Sequence, residues 1–176
     1  MFPTVALTSS SQPGEIAADF EGFYALQRVP AMRFAFLMCG DQALAEEIAA
    51  EALAKVFKSW QRQAISNAEA YLRRAVVNEV RSRGRRRILE RREQQRHTVR
   101  PVSADSAERS ADHHILTQAV LRLPVHQRAP IVLRYFEDLS ETDTAIVLGK
   151  SIGTVKSSVT RGLARLRDLL GEEQIQ

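Results

Sequence analysis

The segment 139–167, LSETDTAIVLGKSIGTVKSSVTRGLARLR, limits the possible folds of this 176-residue chain more than any other stretch. Ser140 can cap a first helix, because a serine hydroxyl accepts a hydrogen bond from a free amide in the first turn. Gly149 follows the apolar residues of that helix and can adopt the left-handed conformation that ends a helix. Ser151 can then cap a second helix. Two short helices joined by a tight turn predict a helix-turn-helix.

The two faces of the second helix differ in chemistry. Its apolar residues recur at helical spacing and predict a buried stripe of Val155, Val159, Leu163 and Leu166. In the first helix we expect Ala145, Ile146 and Leu148 to cover the buried face. The opposite face of the second helix carries small and hydrogen-bonding side chains with arginine between them, namely Gly153, Ser157, Thr160, Arg161 and Ala164, with Lys156 and Arg165 at the flanks. Such a face suits the major groove of DNA.

A solvated amphipathic helix pair is the alternative interpretation of this segment. The caps, the turn residue and the periodicity all agree with one another, and this agreement favours the helix-turn-helix.

Arginine dominates the basic residues and is concentrated in one stretch. The chain has 25 Lys and Arg in total, of which 21 are Arg, and nine of these lie within 81–100. This run could be a solvated helix. In a chain that also carries a helix-turn-helix, contact with backbone phosphates is the better interpretation. Phosphate contacts position a protein on DNA but carry no sequence information.

Several functional classes find no support in the sequence. The single Cys39 excludes an intramolecular disulfide and a cysteine-based zinc site. There is no Gly-rich phosphate loop, no HExxH and no GxSxG. His113 and His114 are adjacent, so a helix would direct them roughly 100° apart. The glutamates of 46–51 have no accompanying histidine and indicate an acidic face, not a metal cluster. We therefore expect no enzyme activity, no metal and no cofactor.

The sequence also predicts a cytoplasmic protein without membrane contact. The first residues, MFPTVALTSSSQPGE, have neither a basic region nor a long apolar run, so they do not resemble a signal peptide. No stretch approaches the roughly 20 apolar residues needed to span a bilayer.

Helical patterns occur throughout and no strand pattern does, which predicts an all-α fold of two small helical domains joined by a flexible linker. We expect a disordered tail at 1–15, a first domain at 16–92, a linker at 93–111 and a second domain at 112–171. The linker combines charge with proline and serine.

Within the first domain, Pro30 is expected to separate a helix at 16–28 from one at 31–38. Asp41 should cap a helix over 42–59, in which Glu51 and Lys55 have the spacing of an i,i+4 ion pair. A loop should follow from Trp60, although Trp60 itself continues the apolar stripe after Val56 and favours a core position. Ser66 and Glu69 have capping-box spacing for the last helix. In the second domain we expect a helix that stops before Pro124, a helix over 127–136 and then the helix-turn-helix.

Three stretches together resemble a known family. They are 20–60 (FEGFYALQRVPAMRFAFLMCGDQALAEEIAAEALAKVFKSW), 67–87 (NAEAYLRRAVVNEVRSRGRRR) and 115–170, which contains the specific segment LPVHQRAPIVLRYFEDLSETDTA. They are similar to bacterial RNA polymerase sigma factors of the extracytoplasmic-function (ECF, group 4) family, on its actinobacterial side. The resemblance covers nearly everything outside the tails and the linker.

For polymerase binding, the resemblance implies that the acidic helix docks on the clamp helices of the β′ subunit through Glu46, Glu47, Ala50 and Glu51. Glu47 stands where the family commonly has Asp, and Ala50 stands where it commonly has Gln. The second domain would contact the β flap, and the linker would thread the RNA exit path. An anti-sigma factor would be a further partner.

For promoter DNA, the resemblance implies two sets of contacts. In the −35 element, the major groove would be contacted by Lys156, Ser157, Thr160, Arg161 and Arg165. The −10 element would be read as an opened strand, with a flipped base held by the loop 60–67 through Gln61, Gln63, Ser66 and Asn67. Asn78 and Arg81, on the following helix, would read or position the same element. Lys150 would add a phosphate contact.

Two other classes of protein remain open from the sequence. A stand-alone helix-turn-helix transcription regulator would need a sensor or dimerisation domain, and the acidic and arginine-rich first block resembles neither. An interaction module that sequesters a polymerase partner would not need the polar groove-facing set on the last helix.

Overall fold

The computed structural model describes residues 13–62, 65–93 and 111–173, with side chains over 19–62, 65–85 and 114–171. In these ranges the regular structure is entirely helical, which confirms the predicted all-α class. The seven described helices are α1 (Pro13–Cys39), α2 (Gln42–Gln61), α3 (Ala68–Glu93), α4 (Ala111–Leu121), α5 (Val125–Tyr135), α6 (Glu141–Leu148) and α7 (Ile152–Glu173). No described helix is long and apolar enough to cross a membrane.

Helices α1, α2 and α3 pack together as a first block. Gly40 adopts a positive φ of 76° between α1 and α2, and the Asp41 carboxylate accepts a hydrogen bond from the Leu44 amide at 2.9 Å, as the sequence predicts. The apolar stripes of the three helices meet in a core that includes Phe34, Met38, Ile48, Leu53, Val56, Trp60, Leu72 and Val76. Removal of this apolar surface from water is the main force that stabilises the block.

Pro30 does not divide the first helix, so the predicted break is wrong. α1 runs without interruption from Pro13 to Cys39 with Pro30 inside it. A proline in a helix removes one hydrogen bond to the carbonyl four residues earlier, here that of Leu26. Both Pro30 and Leu26 are exposed, so solvent can hydrate this part of the helix. The next turns bury Phe34, Ala35 and Met38, and that packing holds the helix together.

The connection between α2 and α3 also differs from the prediction. α2 continues to Gln61, so Trp60 belongs to the helix and not to the loop, and it is buried in the core as its spacing indicates. α3 is capped by Asn67, whose side-chain oxygen accepts the Ala70 amide at 2.9 Å, and not by Ser66. The predicted capping box is therefore shifted by one residue, because an asparagine is an equally good cap.

Helices α4 to α7 form a second block. α5 begins at Val125, directly after Pro124, two residues earlier than predicted. Inside the helix-turn-helix, the predicted caps are confirmed. Ser140 Oγ accepts the Asp143 amide at 3.0 Å, and Ser151 Oγ accepts the Thr154 amide at 3.2 Å. Gly149 has φ 61° and ψ 44°, the left-handed conformation that ends α6.

Two apolar residues of the helix-turn-helix are exposed, contrary to prediction. Ile146 is 59% exposed and Leu163 is 36% exposed. Thr144 and Val147 are buried in α6 instead, and Gly162 occupies the contact of α7 with α5. A Cβ atom at Gly162 would lie 2.5 Å from Ile131 Cδ1. The absence of a side chain therefore lets the two helices approach closely at Gly162, while the neighbouring Leu163 stays partly exposed.

The two blocks also pack against each other, with α1 and α3 of the first contacting the second. Arg128 of α5 donates to the carbonyl of Met38 at 2.7 Å and to the carbonyls of Leu121 and Leu123 at 2.7 and 2.9 Å. Burial lowers the pKa of the Arg128 guanidinium from its ordinary value. Residues 94–110, nearly all of the predicted linker 93–111, lie outside the described part of the chain.

Candidate nucleic-acid interface

The five side chains predicted to contact the −35 element lie on one helix and are all exposed. α7 presents Lys156, Ser157, Thr160, Arg161 and Arg165 to solvent. Arg161 Nε donates to the Ser157 carbonyl at 3.1 Å, and Lys156 Nζ lies 3.4 Å from Glu141 Oε2. These partners belong to the helix-turn-helix itself. They hold the side chains on the outer face of α7 and leave further donors directed away from the protein.

The hydroxyl groups of this face are satisfied locally. Ser157 Oγ donates to the Thr154 carbonyl at 3.1 Å, and Thr160 Oγ1 donates to the Lys156 carbonyl at 3.0 Å. Each hydroxyl oxygen keeps lone pairs that can accept from a base amino group. The face can therefore read base edges by donating through Arg161 and accepting through the hydroxyls.

The residues predicted to contact the −10 element are more scattered. The connection between α2 and α3 has exposed side chains at Gln61, Ser66 and Asn67. Gln63 lies outside the described residues. Trp60, near the end of α2, packs edge-on against Phe20 and at a tilt against Phe23, at ring-centroid distances of 5.7 and 5.2 Å. Its indole Nε1 is buried without a hydrogen-bond partner in the described part of the chain.

A cleft of about 550 Å³ opens beside Ser66 and Asn67. Its first-block wall adds Ile65, Tyr71, Arg73 and Arg74, and its second-block wall consists of Leu139, Asp143, Ile146 and Val147. The structure thus places exposed Ile146 at a cleft beside the loop that was predicted to read the −10 element. The walls combine apolar and aromatic side chains with the charged Glu69, Arg73, Arg74 and Asp143, and a cleft with such groups beside amides and hydroxyls can accept a planar base.

Asn78 and Arg81 lie further along α3. Asn78 is exposed, and it follows Asn67 by eleven residues, about 16 Å along a helix. Arg81 is partly buried, and its Nη1 donates to the Leu148 carbonyl of α6 at 3.3 Å. Burial, with a smaller contribution from Arg85, lowers the pKa of the Arg81 guanidinium. The structure therefore does not bring the five described residues of the predicted −10 set into one surface.

The acidic residues predicted to bind polymerase are exposed on α2, and all three glutamates have intramolecular partners. Glu46 Oε1 accepts a hydrogen bond from Gln42 Nε2 at 3.0 Å. Arg83 of α3 donates to Glu47 at 2.6 Å and to Glu51 at 3.4 Å. Lys55 pairs with Glu79 of α3 and not with Glu51 as its helical spacing suggests. Glu46 and Ala50 complete the exposed face. The hydrogen bond from Lys55 lowers the pKa of the Glu79 carboxyl.

Arg83 was not among the predicted site residues. The run of arginines was visible in the sequence, but the residue in it that turns toward α2 is determined by how α2 and α3 pack. Among the described residues, no group of three or more His, Cys, Asp or Glu side chains could hold a metal ion.

The described part of the chain is helical, with an exposed polar face on the second helix of a helix-turn-helix and an arginine-rich α3, and these features are typical of DNA-binding transcription proteins. Comparison with known families narrows this class. The Sigma-70 region 2 family matches residues 25–89, and the Sigma-70, region 4 family matches residues 113–166.

Related proteins extend the match across both blocks. The RNA polymerase sigma-E factor of Streptomyces coelicolor is 34% identical over 89% of this chain and 88% of its own length. The ECF RNA polymerase sigma factor SigE of Mycolicibacterium smegmatis is 32% identical over 80% of this chain and 57% of its own length. The chain belongs to the ECF group of RNA polymerase sigma factors, on its actinobacterial side.

Solved structures agree with this assignment. The sigma factor RpoE of Bartonella quintana, determined in complex with the anti-sigma factor NepR, matches 87% of this chain and 97% of its own at a TM-score of 0.76 and 28% identity. CnrH, in complex with the cytosolic domain of CnrY, has the same fold at a TM-score of 0.61 and 18% identity. The protein therefore directs promoter-specific transcription initiation. The presence of both sigma-70 regions favours this function over that of a stand-alone regulator.

Proposed function

We propose that each of the two blocks performs a different part of the function of a sigma factor. Residues 16–92 form the domain that docks on core polymerase and reads the −10 element, and residues 112–171 form the domain that reads the −35 element. The segment 93–111 joins them. The observation that carries this proposal is the exposure of the whole polar face of α7 together with an acidic face on α2.

Core polymerase binds the acidic face of α2, composed of Glu46, Glu47, Ala50 and Glu51. Because these carboxylates are opposite in charge to basic clamp helices of β′, they would favour association and fix the register of the complex. Arg83 holds Glu47 and Glu51 in position before binding. The second domain contacts the β flap, and the linker passes through the RNA exit path.

Promoter DNA is read in two forms. Lys156, Ser157, Thr160, Arg161 and Arg165 contact the −35 duplex in its major groove. The −10 element is read as an opened strand by Gln61, Gln63, Ser66 and Asn67 around the loop after α2, and by Asn78 and Arg81 further along α3. Removal of a base from the stack costs a few kcal/mol, roughly, and the cleft beside Ser66 and Asn67 must compensate through packing and hydrogen bonds.

The chain acts in the cytoplasm as a specificity subunit and not as an enzyme. An anti-sigma factor is a further partner, as NepR is for the Bartonella sigma factor. A second cleft, of about 630 Å³, lies between α1 and the second block and offers such a partner a surface of mixed character. Met32, Phe36, Leu37 and Phe136 are among its apolar walls, and Arg33 and Glu137 are charged.

The charge of the docking face supplies the first test. Glu47→Arg with Glu51→Arg should weaken binding to core polymerase at least tenfold, because it reverses the sign of a complementary surface and places both side chains against Arg83. Titration of labelled protein with core polymerase measures this affinity. A matched control is Asp19→Arg with Glu21→Arg, which makes the same charge change at exposed positions of α1.

The neutral pair Glu47→Gln with Glu51→Gln separates docking from folding, because it removes the charge without placing new cations beside Arg83. It should weaken core binding by a smaller factor, with an unchanged circular dichroism spectrum. Unchanged core affinity in both double variants would exclude this face as the docking surface. Transcription in vitro with core polymerase on a random promoter library then tests the function as a whole.

A further inference from the structure

Five charged side chains connect the acidic face of α2 with α3. Lys55 pairs with Glu79 of α3. Arg83 Nη1 donates to Glu47 Oε2 at 2.6 Å, and Arg83 Nη2 donates to Glu51 Oε1 at 3.4 Å. The third nitrogen, Arg83 Nε, lies 4.0 Å from Glu79 Oε2. Each nitrogen of this guanidinium therefore faces a different carboxylate.

The spacing of these residues places them in two facing rows. Glu47, Glu51 and Lys55 follow one another at i,i+4 along α2, and Glu79 and Arg83 have the same spacing along α3. Two glutamates at i,i+4 repel each other, so a cation between them relieves this repulsion. The packing of α2 against α3 brings Arg83 to that position.

Arg83 also differs from other arginines of α3. Its side chain is 26% exposed, whereas Arg85, two residues further on, is exposed to solvent. Arg73 donates to Glu137 of the second block at 2.8 Å. The sequence favoured phosphate contact for the arginines of 81–100. A guanidinium that faces three carboxylates is a poor phosphate ligand, because the carboxylates repel the phosphate and already occupy the donors.

We propose that Arg83 is a positioning residue for polymerase docking, anchored by Glu79, and that it does not contact promoter DNA. The proposal rests on the docking face assigned to α2 above. A glutamate on a helix surface loses rotamer freedom when a partner fixes its side chain. Because Arg83 fixes Glu47 and Glu51 in the free chain, core polymerase meets carboxylates that are already ordered, and less entropy is lost on binding.

Glu79 fixes the guanidinium in turn. Its side chain is only 12% exposed, and its carboxylate accepts a hydrogen bond from Lys55 and faces Arg83 Nε. This contact leaves both Nη groups of Arg83 for the glutamates of α2. Glu79 therefore acts on docking through Arg83, without belonging to the acidic face itself.

The direction of one change separates positioning from charge alone. If the acidic face attracted basic clamp helices only by its charge, loss of the Arg83 cation would make the face more negative and strengthen docking. If Arg83 positions the carboxylates, its loss releases them and weakens docking. Arg83→Gln should therefore weaken binding to core polymerase by about three- to tenfold, although it removes a positive charge.

All variants are full chains, and titration of labelled protein with core polymerase measures each affinity. The matched control is Arg85→Gln, which removes the same charge at an exposed position of α3 and should not weaken core binding. Arg83→Lys keeps the charge but lacks the planar fork, so it should restore only part of the affinity. Glu79→Gln should also weaken core binding, with Arg83 still in place. An unchanged circular dichroism spectrum shows that each variant keeps its helices.

A double-mutant cycle tests whether Arg83 acts through the two carboxylates. In a chain that carries Glu47→Gln and Glu51→Gln, the further change Arg83→Gln should have little effect on core affinity, because the side chains that it positions have lost their charge. A full effect of Arg83→Gln in that background contradicts the proposal, since Arg83 would then act by another route.

Core binding by Arg83→Gln at the wild-type affinity or more tightly would overturn the proposal. Weaker promoter binding by the holoenzyme with unchanged core affinity would also overturn it, and would return Arg83 to the phosphate-contacting arginines. If Glu47→Gln with Glu51→Gln binds core polymerase like the wild type, the docking face itself is wrong and the proposal falls with it. If that pair weakens docking and Arg83→Gln does not, the docking face stands and only the role of Arg83 is wrong.

Discussion

At the scale of single residues, the residue type alone does not make a side chain available for binding. Arg161 and Arg81 were both predicted from the sequence to contact DNA. Arg161 is exposed and bonded only to its own helix, whereas Arg81 is partly buried and bonded to α6. A substitution at Arg161 should therefore report on DNA contact directly, without a change in packing.

Arg161→Ala should cost about 1–3 kcal/mol of −35 binding if Arg161 makes a bidentate base contact, and it should relax preference at one base position. Arg165→Ala lies further along α7 and should weaken binding evenly across sequences, as loss of a phosphate contact does. Transcription from a set of promoters with every −35 base varied in turn distinguishes the two. Wild-type preference at every position in Arg161→Ala would remove Arg161 from the base-reading set.

At the scale of helices, the position of α7 depends on a glycine. Gly162 faces α5, and a Cβ atom there would meet Ile131 Cδ1 at 2.5 Å. A real Cβ cannot approach so closely, so any other residue must push the recognition helix away from α5 or distort the core. The closeness of the two helices, and with it the tilt of the DNA-reading face, follows from this one residue.

Gly162→Ala should lower the free energy of unfolding by about 1–3 kcal/mol through overpacking, and it should weaken −35 binding although it lies off the groove-facing side. Urea denaturation measures the first effect and duplex binding measures the second. Gly22→Ala is the control, because its Cβ would meet nothing within 4 Å, and alanine there should stabilise α1 by about 0.5–1 kcal/mol.

The rescue variant is Gly162→Ala with Ile131→Val. Valine lacks the Cδ1 atom, so the pair should recover part of the lost stability and most of the −35 affinity. A Gly162→Ala variant as stable as the wild type would show that α5 and α7 do not pack as closely as described.

At the scale of the whole molecule, Arg128 connects the two blocks. Its guanidinium accepts no hydrogen bonds and donates to the carbonyl ends of α1 and α4 at once, through Met38 and Leu121. These carbonyls have no further amide partner in their helices, so they need a donor from elsewhere. One side chain of α5 thus satisfies groups in both blocks and couples their unfolding.

Arg128→Gln should lower the overall free energy of unfolding by about 1–3 kcal/mol, because buried carbonyls lose a charged donor. It should also separate one thermal transition into two, as the blocks become independent. Differential scanning calorimetry resolves both effects. The control is Arg134→Gln, since Arg134 donates to the Leu139 carbonyl inside the second block, and its loss should destabilise that block without splitting the transition. A single, unshifted transition in Arg128→Gln would contradict this coupling.

The sequence by itself determined the features that depend on neighbouring residues. These features follow from residue types at fixed short spacings. They are the caps at Asp41, Ser140 and Ser151, the left-handed turn at Gly149 and the outer face of α7. Family membership follows for a similar reason, because it is carried by continuous stretches of residues. Where two neighbouring residues can both cap a helix, the predicted cap was wrong by one residue. This occurred at Ser66 and Asn67.

Only the tertiary structure decided the rest. Several features depend on how helices far apart in the chain pack. They are the continuity of α1 through Pro30, the exposure of Leu163 and the pairing of Arg83, Arg73 and Arg128. A helical period predicts which residues share a face. It cannot show which other helix lies opposite, because that depends on the shapes of all the side chains that fill the core.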